Sequence, residues 1–317
     1  MELIRGLRGL RARHRPCVAT IGAFDGVHRG HAAVIGQLRE QGAALGLPMT
    51  VVSFEPLPRE YLQPEQAPAR LSTLREKHEL LAAQGVDRLL LLRFGEAVRQ
   101  MGAEEFTREV LVDGLGVRSL IIGDDFRFGR ARAGSTELMR ELGVKWEFAT
   151  LPTATVLEGE ERVSSTRVRA LLARGDFAMA ERLLGRPYTL SGRVIHGRSL
   201  GRELGFPTAN IPLRRRLAPL RGVYAVTVNG AGLAEAPAVA NIGARPTVES
   251  AGDTMLEVHV LEGAPLLYGK RLTVTPRQRL REEQKFASIE ALGAQISRDK
   301  EQAQQFFATQ TKATTQS

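Results

Sequence analysis

The chain has 317 residues, a net charge of +9 and a single cysteine. Its length allows two domains with separate cores, and one cysteine excludes an internal disulfide and a cysteine-based zinc site. No apolar run approaches the length of a membrane span and no apolar signal core follows the N-terminal arginines, so a cytoplasmic protein is expected; the thinly spread basic excess suits polyphosphate substrates better than nucleic acid or a membrane surface.

Residues 1–17 carry Arg5, Arg8, Arg11, Arg13 and Arg15 and read as a short surface helix, with a presequence-like arm as the alternative. Val18 to Ile21 is an apolar run that reads as a buried strand. Thr20 to His31, TIGAFDGVHRGH, then leads into Ala32, Ala33, Val34, Ile35 and Leu38, the apolar face of a helix. The segment is therefore a strand-to-helix turn. Gly22, Gly26 and Gly30 allow sharp bends and close approach of a ligand, and His31 falls where a helix begins, at a natural anion site. His28 stands three residues earlier, so both rings can face one phosphate chain. A His-x-Gly-His string arises by chance in roughly one such chain in a hundred. The alternative is a glycine-rich turn whose histidines are merely satisfied. No Gly-Lys-Ser/Thr follows, so this is not a Walker loop.

Met49 to Phe54 predicts a second strand and hence a βαβ unit with parallel strands. In the SFEPLPREY segment behind it, Pro56 and Pro58 stiffen the chain. Thr73 and Glu76 form a capping-box pattern opening a helix that runs to about Gln84. A strand at Arg88 to Leu92, a helix at Ala103 to Val112 and a strand at Ser119 to Gly123 continue the alternation of a doubly wound parallel sheet, in which ligands gather beyond the carboxyl ends of the strands. The loop from Gly123 to Gly129 carries Asp124, Asp125, Phe126 and Phe128 and reads as a binding turn, or as a polar hairpin-like loop. Glu147 to Thr150 is a further candidate strand. Ser164, Ser165, Thr166 and Arg167 precede another amphipathic helix; they suit helix caps, and equally a second anion site with an arginine beside it.

Composition changes at Gly185 to Pro187, which sets the expected boundary between domains 1–186 and 187–317. Short β-rich runs follow at Tyr188 to Ile195, Val223 to Val228, Ala238 to Ile242, Leu256 to Leu261 and Leu272 to Val274, as in a small antiparallel barrel. A last helix is predicted over Ser288 to Phe307. Within this half, Gly197, Gly201 and Gly205 make a loop able to lie on phosphates. Pro207, Thr208, Ala209 and Asn210 come directly after, and Thr208 and Asn210 offer neutral oxygens of the kind Mg²⁺ accepts beside substrate phosphates. Glu257 alternates with Leu256 and Val258, which on its own describes an outward-facing strand residue.

The GxFDGxHxGH pattern resembles the nucleotidyltransferase superfamily. Taken with GFPTAN, GVYAV, NIGARPTV, EVHVL, LYGK and LREEQKF in that order, the chain from about Val18 to Phe307 resembles the bacterial bifunctional riboflavin kinase/FMN adenylyltransferase (FAD synthetase) family. The resemblance implies a Rossmann-like nucleotidyltransferase domain followed by a riboflavin kinase barrel with a C-terminal helix. It implies riboflavin, FMN and ATP as substrates, Mg²⁺ with ATP, and a monomer or weak homo-oligomer. In the adenylyltransferase half it places nucleotide at Gly22, Ala23, Phe24, Asp25, His28, His31, Ser164, Ser165, Thr166 and Arg167, with His28, His31 and Arg167 catalytic. Flavin would lie at Pro56, Pro58, Asp125 and Phe128. In the kinase half it places nucleotide at Gly197, Gly201, Gly205, Pro207, Thr208 and Asn210, metal at Thr208 and Asn210, flavin at Arg281 and Phe286, and the general base at Glu257. The chain departs from the common pattern at Ala23, where many members carry Asn, and at Leu57, where many carry a polar residue. A class I aminoacyl-tRNA synthetase would need a lysine-rich loop where Ser164 to Arg167 has none.

Overall fold

The computed structural model describes residues 1–196, 206–244, 254–263 and 266–315. They form two compact units, Met1–Pro68 with Ser72–Ser165 and Ala69–Leu71 with Thr166–Ser317. The first unit is built on six parallel strands, β1 (Glu2–Arg5), β2 (Cys17–Ile21), β3 (Met49–Glu55), β4 (Arg88–Arg93), β5 (Val117–Gly123) and β6 (Ala149–Thr153), in the order β1-β4-β3-β2-β5-β6. β2 is buried at every residue, as a strand covered on both faces must be. From β2 the chain steps through β3 and β4 on one side, then returns to β5 and β6 on the other. A topological switch point therefore lies between the carboxyl ends of β2 and β5.

Helix α1 (Arg29–Leu45) follows β2 and buries Ile35 and Leu38. Helix α2 (Leu74–Ala83) opens on the predicted capping box, with Glu76 N–H donating to Thr73 Oγ1 at 3.3 Å and Thr73 N–H to the Glu76 carboxylate at 2.7 Å. The helix expected over Ala103 to Val112 begins as α3 (Ala103–Phe106) and continues in wider π-helical turns over Thr107–Leu115. Gly114 permits this, because a Cβ there would stand 2.8 Å from the Glu109 carbonyl one widened turn back. Helix α4 (Thr136–Lys145) precedes β6, and a small hairpin of β7 (Leu157–Glu158) and β8 (Glu161–Arg162) follows it.

The arginine-rich start is not a surface helix. Residues 2–5 form the edge strand β1 on β4, and two short 3-10 turns, Leu7–Gly9 and Ala12–His14, follow. Ile4 is buried and Leu7 and Leu10 pack on the core beneath the sheet, so the apolar residues of this segment anchor it to the core while the arginines lie between them.

The second unit contains α5 (Ser165–Arg174) from Thr166 onward, α6 (Phe177–Leu184), β9 (Leu190–Arg193), β10 (Ala209–Pro212), β11 (Gly222–Gly230), β12 (Leu233–Ala244), β13 (Thr254–Val260), β14 (Arg271–Arg281) and α7 (Ile289–Thr315). Its antiparallel sheet runs β10-β13-β12-β11-β14-β9, and a bridge between Ile195 and Asn210 joins the two ends into a nearly closed barrel. β10 occupies part of the stretch that the sequence assigns to a glycine-rich loop motif.

The compact units divide at Ser165/Thr166, ahead of the boundary that composition places at 186/187. Helix α6 packs with the barrel: Phe177 meets the buried Tyr224 edge-on at 5.9 Å and α6 lies against β14, and α5 from Thr166 onward falls in the same compact unit. The composition change marks where helices give way to strands, which is not where contacts thin out. A fragment of residues 166–317 is accordingly expected to melt about 5 °C or more above one of residues 187–317, since the shorter fragment uncovers the Tyr224 ring. Thermal denaturation of the two fragments checks this.

Candidate active site

The turn from Gly22 to His28 is held against its own preference. Phe24 (φ 47°) and Val27 (φ 42°) sit in the left-handed region that side chains other than glycine avoid, and both are buried. Three serines hold the conformation. The buried Asp25 carboxylate accepts Ser72 N–H at 2.9 Å and Ser72 Oγ–H at 3.1 Å, while Gly26 N–H donates to the same Ser72 Oγ at 3.0 Å. Ser53 Oγ donates to the Ala23 carbonyl at 3.3 Å and in turn accepts from the buried Lys77 ammonium. Ser165 Oγ donates to the Asp25 carbonyl at 2.9 Å.

This turn delivers two histidines to the start of α1. His28 is the N-cap and His31 the third helical residue, and each caps with the other: His31 N–H donates to His28 Nδ1 at 3.4 Å and His28 N–H to His31 Nδ1 at 3.3 Å. A backbone N–H can only donate, so both Nδ1 atoms are acceptors and the proton of each neutral imidazole sits on Nε2. The rings stack at 3.7 Å between centroids, 18° from parallel, and Phe24 lies 4.8 Å from His31. Gly30 is required here because a Cβ would stand 3.1 Å from the His28 ring and 3.3 Å from the Val163 carbonyl.

A cavity of about 360 Å³ opens at this point, at the switch between β2 and β5. Gly22, Phe24, His28, Gly30 and His31 line one side, Gly123 to Phe126 the other, and Thr153 to Val156 with Arg162, Val163 and Ser164 complete the wall. The N-terminus of α1 brings the positive end of its dipole to this wall. Arg162 adds a cation and forms a bidentate pair with Asp125 at 2.8 and 3.2 Å, which holds the Asp125 carboxyl below its ordinary pKa. Across the hairpin, Glu158 pairs with Arg29 at the start of α1, 2.5 Å away.

Several sequence-predicted residues land elsewhere. Ala23 is exposed and outside the cavity wall. Asp25 is turned into the protein as the anchor for Ser72. Phe128 packs in the core against Phe106 and Phe126, and Phe126 is the ring that reaches the cavity. Pro56 and Pro58 flank the buried Leu57 ahead of a short helix, Pro58–Leu62, and do not line the cavity. Ser164 lines it, whereas Thr166 and Arg167 belong to the second unit. Nothing in the amino-acid order singles out Ser72 or Arg162. Both act through partners distant in the chain, and neither sits in a motif that announces them.

In the barrel, the strand register aligns the polar residues. Glu257 of β13 pairs with Asn210 of β10 on one side and Asn241 of β12 on the other. Residues opposite each other share a face, so the carboxylate stands between two amides on the outer face. The alternate residues Ala209, Ile211, Leu256, Val258, Ala240 and Ile242 are buried. Glu257 does face outward, as its alternation predicts, but in a polar rung rather than among solvated charges. Thr208 and Asn210 are half-buried beside it. Asn241 was visible as part of a motif but not as a neighbour of Glu257. Gly197, Gly201 and Gly205 lie outside the described residues. Arg281 is clasped by the buried Asp299 of α7, with Nε–Oδ1 at 2.9 Å and Nη2–Oδ2 at 2.8 Å, and its guanidinium lies 5.7 Å from the Phe286 ring.

An α/β unit with an anion-binding cavity at its switch point, joined to a barrel with its own polar rung, defines a two-part protein made for phosphorylated ligands. Residues 10–167 match the family model of FAD synthetase and residues 184–307 that of riboflavin kinase. A bifunctional riboflavin kinase/FMN adenylyltransferase of Pseudomonas fluorescens is 53% identical over 94% of this chain and 96% of its own length. The protein of the same description from Escherichia coli K12 is 49% identical over 97% and 98%. The chain belongs to the bifunctional riboflavin kinase/FMN adenylyltransferase family. A crystal structure described as a macrolide-efflux protein from Streptococcus pneumoniae is similar in fold, with a TM-score of 0.78 and 26% identity over 96% of this chain and 99% of that one. Among the described residues no helix is long and apolar enough to cross a membrane.

Removing the Ser72 hydroxyl takes one hydrogen bond from the buried Asp25 carboxylate and one from the Gly26 N–H, at a cost of about 1–3 kcal/mol. Ser72→Ala is therefore expected to lower the melting temperature of the first unit by several degrees and to impair FAD formation. FMN formation by the same preparation should be unchanged, as read by calorimetry and by chromatography of the flavins.

Proposed function

We propose that the two units divide two consecutive reactions. The chain phosphorylates riboflavin from ATP to give FMN, and then adenylylates FMN from a second ATP to give FAD and pyrophosphate. The barrel carries the first reaction and the α/β unit the second. The observation that carries this assignment is the stacked His28–His31 pair at the head of α1, lining a switch-point cavity of a size that holds a nucleotide.

In adenylylation the FMN phosphate already bears its charge and attacks the α-phosphorus directly, so no side chain need remove a proton or form a covalent intermediate. Charge grows on the α-phosphate oxygens and on the departing pyrophosphate. The Nε2–H groups of His28 and His31, the α1 N-terminus and Arg162 are donors set in place before the reaction and answer that charge. The reciprocal cap fixes ring orientation and tautomer, so these donors need little reorganisation.

In phosphorylation the riboflavin ribityl hydroxyl must lose its proton as it attacks the γ-phosphorus. Glu257 is the candidate base, with Asn210 and Asn241 flanking it. Arg281 and Phe286 are the candidate flavin contacts. Both reactions use ATP with a divalent metal ion, and Mg²⁺ fits the barrel. Thr208 and Asn210 are neutral oxygen donors, the set that suits an ion retaining water and phosphate ligands. Among the described residues no group of three or more His, Cys, Asp or Glu forms an all-protein cage. When bound, the ion would neutralise phosphate charge.

Incubation with riboflavin and MgATP, with FMN and FAD resolved by chromatography, tests the reading as a whole; absence of both products would overturn it. Glu257→Gln is expected to slow riboflavin phosphorylation about a hundred- to ten-thousandfold while FMN-to-FAD conversion persists. For the histidines, His28→Ala also removes an N-cap, so His28→Asn is the better probe because Asn caps well. It should keep the fold and FMN formation yet reduce the turnover of FAD synthesis about a hundred- to thousandfold. Near-normal FAD synthesis by folded His28→Asn would remove the histidine from the reaction.

A further inference from the structure

His259 is a residue that the reactions above do not use. It lies on β13 two residues beyond Glu257 and so on the same face. Ala209 pairs with Val258 and Asn210 with Glu257; extended by one residue, that register sets His259 opposite Thr208. The imidazole Nδ1 is 3.0 Å from the Pro207 carbonyl oxygen. A carbonyl only accepts, so Nδ1 bears the proton and Nε2 is left as a lone pair. Nε2 is buried and has no hydrogen-bond partner among the described residues, and the Phe206 ring meets the imidazole edge-on at 5.6 Å. Among the described residues the ring thus makes a single polar contact, the one with Pro207.

That contact bears on Thr208. The Pro207 carbonyl and the Thr208 nitrogen share one rigid peptide plane, so fixing the oxygen fixes the plane that enters Thr208. The plane that leaves it is also engaged, because Asn210 Nδ2 lies 3.4 Å from the Thr208 carbonyl. This contact turns the Asn210 amide nitrogen to the backbone and assigns Oδ1 to the other side. Proline supplies no N–H of its own and cannot secure this turn through a ladder hydrogen bond.

We propose that His259 is a positioning residue for riboflavin phosphorylation: through the Pro207 carbonyl it orients Thr208, and with it the neutral oxygens that receive the ATP-bound metal ion. This rests on the reading of Thr208 and Asn210 as metal–ATP ligands. It predicts a defect in MgATP binding more than in the chemical step, and one cured by any side chain that returns a donor to the Nδ1 position. Asparagine does so, since its amide nitrogen overlies Nδ1, whereas leucine does not.

The test uses the full chain as wild type, His259→Leu, His259→Asn and Thr208→Val. Riboflavin phosphorylation is followed across a MgATP titration, with FMN adenylylation and melting temperature recorded on each preparation. His259→Leu and Thr208→Val are expected to raise KM for MgATP about tenfold, as loss of one hydrogen bond or ligand would, with kcat within about threefold. His259→Asn should stay within about twofold of wild type, and FMN adenylylation should be unchanged throughout. Should His259→Leu fail to fold, His259→Gln, whose amide reaches the Nε2 position instead, takes its place. A wild-type KM in the donor-less variant while Thr208→Val is impaired overturns the proposal and leaves the metal-site reading standing. Failure of His259→Asn to recover what leucine or glutamine loses overturns it too. A wild-type KM in Thr208→Val overturns the metal-site reading, and the proposal with it.

Discussion

The exchange of hydrogen bonds between His28 and His31 governs the first unit. A helix N-terminus needs acceptors for its free N–H groups, and here the residues that supply them are also those that face the cavity. Capping uses Nδ1 of each ring, which fixes the proton on Nε2 and sets the two rings in a stack. Capping and the lining of the cavity are therefore one arrangement, and neither ring can be reoriented without uncapping α1. The stack also bears on the sequence between the histidines, since a Cβ at Gly30 would crowd the His28 ring at 3.1 Å.

Such a turn has to be forced. Phe24 and Val27 occupy backbone conformations that cost on the order of 1–3 kcal/mol each, and the surroundings must supply the difference. Ser72, Ser53 and Ser165 do so from three separate places in the chain. Asp25, an acidic residue in the middle of the glycine- and histidine-bearing turn, serves this internal purpose. The barrel gathers its polar groups by a different physical route. There the two-residue period of β-strands and the register of three neighbours bring Asn210, Glu257 and Asn241 into one rung. A rung needs no strained backbone, because ladder hydrogen bonds already hold it.

Much of this was legible in the amino-acid order. The apolar run at β2, the helix phase of Ile35 and Leu38, and the Thr73–Glu76 capping box are local patterns, and each appears as read. The antiparallel character of the second half also follows from short alternating runs punctuated by glycine and proline. The arginine-rich start misleads because charge density masks the alternating burial of a short edge strand. The π-helical turns after Phe106 leave no signature beyond one glycine. Phe126 and Phe128 cannot be told apart from composition, since both flank the same loop and only its path decides which ring enters the cavity. Composition changes at 186/187 whereas the compact units divide at Ser165/Thr166, because composition records secondary structure, while contacts such as Phe177 on Tyr224 decide which unit a helix joins.

The sequence by itself determined the strand-turn-helix carrying His28 and His31, the change to a β-rich second half, and the order of motifs that places the chain in its family. Those are properties of neighbours in the chain, set by backbone sterics, side-chain period and capping chemistry. Tertiary structure alone decided that Ser72 and Lys77 support the turn from Gly22 to His28, that Arg162 reaches the cavity and pairs with Asp125, and that Asn210 and Asn241 flank Glu257. These contacts join residues from 16 to 47 positions apart, and those of the barrel rung depend on strand order and register. Register is a property of the whole fold: a shift by one residue turns every side chain of a strand to the opposite face.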